Sequence, residues 1–512
     1  MHQRLSPPIR FLGTLLATAM LLPAVARAVT LYADNSLGAD CASTYDATGR
    51  KCGSGSAAGY RTLAAALAAA QAGDVVRVRG GTWSERLVPT RSGTAAAPIT
   101  IAAQAGETPT LSGISDVAIY LANVNYLVID GLAVDNSVGW ARIDNSSHNV
   151  LRNLHLTRAT AGGTTGGVKF ANNATYNKLL DSVLNDGNDD VTIQQSDHNL
   201  VAGNTITEGR HSIFSLRCGN YNVLRNNTFT NTEQKIGEIY DCEGTSDAPI
   251  IYDATKHNLV DGNRFTYTHA SSKDYDYNGI QYAGQNGIVR RNVFYDNQGG
   301  GINFQVYSNE SLYNYGNRVY NNTFYNNHCY GIAASGSATS SQYRDNRVRD
   351  NLLYLNVGCA GEASQTGIGN SGAVILDNNA IVTTAPPFVN ETTRDLHLQP
   401  GSSLVDTGAF ATTATAAGSG TSLAVADASW FYDGYQIAGE LGDQVQLDGQ
   451  AQAARVVAIN YATNTLTLDT SLSWSAGQGL HLAYSGGKPD PGAYESGLAR
   501  VQPGAPTNLR VQ

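Results

Sequence analysis

The sequence predicts an all-β protein: a right-handed parallel β-helix with an N-terminal capping helix and a small antiparallel β module inserted near the C-terminus. Three observations predict it. First, a polar–apolar phrase recurs as "NVLRNLHL" from Asn149, "NKLLDSVL" from Asn177, "NLVAGNTI" from Asn199 and "NVLRNNTF" from Asn222, then as "NLVDGNRF" from Asn258, "NGIVRRNVF" from Asn286, "NRVYNNTF" from Asn317 and "NRVRDNLL" from Asn346. Second, successive copies begin 22 to 36 residues apart, the length of one coil of a solenoid. Third, another short strand precedes the phrase in each unit: "GVKFA", "DVTIQ", "SIFSLR", "PIIYD", "NGIQY" and "GINFQ". Alternation turns Val168, Val191, Phe214, Ile250, Ile280 and Ile302 inward, and Lys169, Thr192, Ser215, Gln281 and Asn303 outward.

The elements follow in chain order. Arg4 and Arg10, the apolar run Phe11–Val25 and the small residues around Ala26 and Ala28 read as a secretory signal over residues 1–28. A secreted or periplasmic location follows. Residues 29–410 form the β-helix. Within them, "YRTLAAALAAAQAG" reads as an Ala-rich helix ended by Gly73, which covers the open end of the solenoid. Asn153, Asn204, Asn227, Asn263, Asn292, Asn322 and Asn351, with Ser182 once, share one turn slot, where stacked amides bond to one another. From about Thr412 the strands lengthen, so residues 411–486 read as the antiparallel module. Residues 487–512 hold "PDPGAYE", which closes the β-helix, and a linker-like tail. Six cysteines in an exported chain pair locally as Cys41–Cys52, Cys218–Cys242 and Cys329–Cys359.

Composition narrows the partners. The 512-residue chain carries a formal charge of −9 and no long basic run, which argues against nucleic acid. No stretch after the signal is long and apolar enough for a membrane span. A monomer is expected.

Outward residues one coil apart are neighbours, about 5 Å apart. On that geometry Lys169, Asp189, Asp190, His211 and Arg217 share one outer face, with Glu208 and Arg210 at its edge and Asp253 continuing the Arg217 column. The longest step inserts "KIGEIYDCEG", which offers Tyr240 as a wall of the cleft. Plainer roles exist for each. Asp189 and Asp190 sit in a turn where carboxylates cap backbone, Glu208 can pair with Arg210, and Arg217 can pair with Asp253.

With these residues in place, the chain resembles the pectin-lyase-like right-handed β-helix superfamily over about residues 29–410. Two enzyme patterns within it compete. "SLRCG" is similar to the arginine phrase of the chondroitinase B and alginate lyase family, which puts Arg217 in the catalytic slot and Asn188 and Asp190 near the calcium-binding slots. Gln195 stands near the position of that family's lysine. "NDDVTIQQ" followed by "EGRHSI" resembles the polygalacturonases, which use an Asp pair and a His one coil later, here Asp189, Asp190 and His211.

The resemblance implies three readings of function. The first is a polysaccharide lyase acting on a uronate-containing, acidic polysaccharide by β-elimination. It would use calcium, Arg217 to neutralise the carboxylate and His211 to abstract the proton, with Lys169, Glu208, Arg210, Tyr240 and Asp253 contacting substrate. The second is an inverting glycoside hydrolase that uses Asp189 and Asp190. The third is a non-catalytic glycan-binding protein.

Overall fold

The structure is a computed structural model describing residues 28–240, 255–266, 278–305, 314–334, 343–368 and 374–497. The expected signal segment lies outside the described residues, apart from Ala28. So do Ile250, Asp253, Cys242 and the tail beyond residue 497. Three sheets of 16, 12 and 10 strands run the length of the described coils, and nearly all their pairings are parallel. Each coil from Ile99 to Gly367 contributes one strand to each sheet. Leu200–Ala202, Thr205–Thr207 and Ser212–Arg217 form one such coil. Between the walls lies a single apolar core, with Phe229, Phe265, Phe294 and Phe324 stacked rung on rung.

Amide ladders hold the turns. From Ser182 through Asn204, Asn227, Asn263, Asn292, Asn322 and Asn351 to Asn379, each backbone N–H donates to the side-chain oxygen one coil on. The Nδ2 of each ladder Asn up to Asn351 also donates to a carbonyl of the preceding coil, so these buried amides are satisfied. Asn153 does not belong to this ladder. Leu154 fills the slot and its N–H donates to Ser182 Oγ at 3.0 Å, while Asn153 takes the left-handed turn position beside it, at φ 53°. A second ladder uses the first Asn of the repeated phrase, from Asn149 through Asn177, Asn199 and Asn222 to Asn258. The residue before each of these is an aromatic at positive φ, and Tyr126, His148, Tyr176, His198, Tyr221 and His257 stack along one corner.

One coil differs from expectation. The strand between Ser212–Arg217 and Ile280–Tyr282 is Lys235–Tyr240, not the "PIIYD" stretch. Both segments alternate in polarity, so periodicity alone does not separate them. Tyr240 therefore occupies the register position beyond Arg217 that had been assigned to Asp253.

The N-terminal helix is Leu63–Ala69, capped by the Thr62 side chain, and Leu63, Ala66 and Leu67 are buried against the core. It stops before Gly73 because Ala70 is already extended. Cys41–Cys52 and Cys329–Cys359 are disulfides, and Cys218 is disulfide-bonded.

Near the C-terminal end, six antiparallel strands between Thr412 and Leu482 form one sheet. This unit lies against the outside of the 16-stranded sheet. Val128, Val150, Leu180, Leu200, Val223, Leu259 and Ile288 share an apolar cluster with Trp430, Phe431 and Tyr432. Ion pairs are sealed in the same interface. Arg290 has no exposed side-chain surface and meets Asp443 at 2.5 Å and Asp261 at 3.3 Å, and Arg225 meets Glu440 at 2.7 Å. Among the described residues no helix is long and apolar enough to cross a membrane.

Candidate functional site

The 10-stranded sheet carries the predicted site on its outer face. Residues alternating with the core form a column in register: Arg142, Lys169, Thr192, Ser215, Glu238, Gln281, Asn303. They face away from the core as expected, but they are not open to solvent. From Lys169 to Asn303 every member is buried, and Thr192 Oγ1 and both amide atoms of Asn303 have no hydrogen-bond partner among the described residues. A buried polar row of this kind is costly unless something polar fills it.

Beside the column, His211, Ser212 and Arg217 from the neighbouring coil converge on one carboxylate of the strand Asp189–Gln194. Asp189 is buried, and its Oδ1 accepts from His211 Nδ1 at 2.7 Å and from Ser212 Oγ at 2.9 Å. Its Oδ2 lies 3.6 Å from Arg217 Nη2. Arg217 also donates to Ser215 Oγ at 3.0 Å, and its guanidinium lies 5.5 Å from the centroid of the Tyr240 ring. The other ring nitrogen of His211 faces Glu238 Oε1 at 3.9 Å, and Glu238 is paired with Lys235.

The electrostatics follow from these contacts. Burial opposes ionisation of Asp189, but the His211 hydrogen bond and charge, Ser212 and Arg217 outweigh it and hold the carboxyl below its usual range. The same hydrogen bond raises His211 above an ordinary histidine, against partial burial, and the Glu238 charge adds to it.

Asp190 does not join them. It falls between the pairs Asp189–Ser212 and Val191–Phe214, in register with Ile213 and, one coil on, Ile236. Both isoleucines are core residues. The Asp190 carboxyl is fully buried with no side-chain donor among the described residues, and burial plus the adjacent Asp189 charge push it well above the carboxylate range. It packs so tightly that a Cβ on Gly187 would sit 2.0 Å from its Oδ1 and 3.0 Å from the Trp140 ring. The expectation that Asp190 lines the outer face is corrected accordingly.

The calcium pair fares the same way. Asn188 offers its backbone carbonyl to the N–H groups of His211 and Ser212, and the Asp190 carboxyl is sealed on the core side of the strand, where burial disfavours its charge. Among the described residues no three His, Cys, Asp or Glu side chains gather as a metal site. Asn188 and Asp190 therefore do not fit a cation.

The remaining candidates spread around the edge. Lys169 Nζ donates to Thr164 Oγ1 at 2.9 Å. Glu208 bonds Thr232 rather than Arg210, and Arg210 reaches back to Gly187 O at 2.7 Å and Asp186 at 3.7 Å. Asp253 lies outside the described residues. Lys235 and Glu238 are members of the cluster that reading the sequence missed. The signal was present: Lys235–Tyr240 repeats the polarity of Ser212–Arg217 one 23-residue step later (235 − 212), with Gly237 opposite Phe214 because a Cβ there would lie 2.1 Å from that ring.

Comparison with known proteins gives the fold. Residues 167–353 match the family described as the right-handed β-helix region. No curated protein matches the sequence. Among solved structures, the chain is similar to a pectate lyase at 14% identity over 91% of this chain and 96% of that one, with a TM-score of 0.49. It is similar to a PL6-family polysaccharide lyase from Pseudopedobacter saltans at 18% identity over 66% and 94%, with a TM-score of 0.44. It is also similar to a lacto-N-biosidase from Eubacterium ramulus at 12% identity over 69% and 68%, with a TM-score of 0.43. The chain is a right-handed parallel β-helix protein.

Proposed function

We propose that this protein is a secreted lyase that cleaves a uronate-containing polysaccharide by β-elimination on the outer face of the 10-stranded sheet. The observation that carries this reading is the convergence of His211 and Arg217 on Asp189, with Tyr240 beside Arg217. Arg217 neutralises the uronate carboxylate and lowers the cost of charge building up when the C5 proton leaves. Tyr240, in its ionised form, takes that proton. The C5 electron pair forms the C4–C5 double bond, the C4–O bond breaks, and the leaving oxygen takes a proton from His211. Solvent then returns the proton from Tyr240 to His211. The donor role suits His211 better than abstraction, because a histidine between two carboxylates holds its proton. Calcium has no part in this scheme, since its expected ligands do not fit.

The test is to incubate purified protein with alginate, pectate and glycosaminoglycans and to follow ultraviolet absorbance of the unsaturated product. Absorbance that rises with one polymer and is lost in His211→Ala supports the reading. New reducing ends without unsaturation would point to hydrolysis, binding without product to a glycan-binding protein, and either would overturn it.

A further inference from the structure

Glu238 stands out among the groups that no reading of the sequence assigned. Its side chain has no exposed surface, and among the described residues neither carboxylate oxygen accepts a hydrogen bond, although Lys235 pairs with it electrostatically. It lies one strand beyond Ser215, facing the same side as His211. A carboxylate buried this deeply is costly unless its charge acts on something nearby. Two basic groups are near it. One is Lys235, and the other is the Nε2 side of His211, 3.9 Å from Oε1. That gap is too long for a hydrogen bond, so Glu238 leaves Nε2 able to meet a substrate oxygen. The charge still acts across it, because Glu238 has no exposed side-chain surface and only His211 meets solvent.

We propose that Glu238, fixed by Lys235, is a positioning residue that completes a two-carboxylate clamp on His211: Asp189 orients the ring through Nδ1, and Glu238 keeps Nε2 protonated and aimed outward. The charged groups acting on His211 are Asp189 on one side and Glu238 and Lys235 on the next strand. Asp189 and Glu238 favour the imidazolium, whereas Lys235 opposes it. The clamp is independent of the polymer. Only its use as a proton donor rests on the β-elimination reading.

The experiment is an NMR titration of the full chain labelled with ¹⁵N-histidine, with the His211 signals assigned by their loss in His211→Gln. In the unaltered protein the ring is expected to titrate above the ordinary value of about 6.5. Glu238→Gln is expected to lower that midpoint by about one unit, the effect of removing one sheltered charge. If an unsaturated product is formed, the alkaline limb of the pH–rate profile should move to lower pH by the same amount. A His211 midpoint that stays within about 0.2 unit in Glu238→Gln overturns the proposal. Should that variant fail to fold, Glu238→Asp is titrated in its place. A fall of about half a unit then supports the clamp, and no change overturns it. A shifted midpoint without product from any polymer would retire the lyase reading and leave the clamp standing.

Discussion

Asp189 and Asp190 are adjacent in the chain but serve opposite sides of the wall: Asp189 accepts the His211 Nδ1 proton at 2.7 Å, while Asp190 lies in the column of Ile213 and Ile236. Burial and the Asp189 charge push the Asp190 carboxyl well above the usual carboxylate range, and an amide matches it in size. Asp190→Asn should therefore keep turnover within a few-fold and stability within about 1 kcal/mol at neutral pH. Asp189→Asn removes the charge that orients His211 and should cost at least about 10²-fold in turnover. Steady-state rates of the two variants decide the matter, and equal losses would place Asp190 in the chemistry after all.

Arg217 is half-buried and tied to Ser215 and Asp189 only at its tip. Arg217→Ala should abolish turnover while urea unfolding changes by no more than about 1 kcal/mol. Unchanged turnover would remove Arg217 from the site.

Asn263 accepts from the Asn227 backbone N–H at 2.9 Å and donates to Leu224 O at 2.9 Å and Asn292 Oδ1 at 3.0 Å. Asn263→Ala strands several buried groups at once and should destabilise by about 2–4 kcal/mol. Chemical denaturation measures this, and a loss below about 0.5 kcal/mol would mean that water replaces the amide.

The C-terminal sheet behaves as part of the β-helix wall, not as an appendage. Asp443→Ala would leave Arg290 buried with only Asp261 opposing it at 3.3 Å, which should cost about 3–5 kcal/mol. Calorimetry should show one cooperative transition for the unaltered protein. Two separate transitions would show that the sheet folds on its own.

Burial, with the Asp490 charge adding to it, raises the Glu495 carboxyl from 4.5 to about 8 in the closing segment. A raised folded-state value means that the stabilising contribution is complete below pH 4.5 and is lost as pH climbs to about 8. The thermal midpoint should fall across that window, and Glu495→Gln should flatten the fall. A Glu495→Gln profile that keeps the slope of the unaltered protein would assign the pH dependence to other groups.

Much of this molecule is written in its local pattern. The repeated phrase, its coil-length step and the alternation around Val168, Val191 and Ile302 determine a parallel β-helix, because a strand two residues in period must bury one face and a recurring turn must stack its amides. The same periodicity brings Asp189, His211 and Arg217 to neighbouring rungs. It does not decide register to a single residue, and one residue of slip exchanges inside for outside. Only the tertiary structure separates Asp190 from Asp189, moves Asn153 off the ladder, and selects Lys235–Tyr240 over a second alternating segment, bringing Glu238 to His211. Docking of the C-terminal sheet was equally hidden, since the pairing of Arg290 with Asp443 joins residues 153 apart in the chain. No local pattern encodes such a contact.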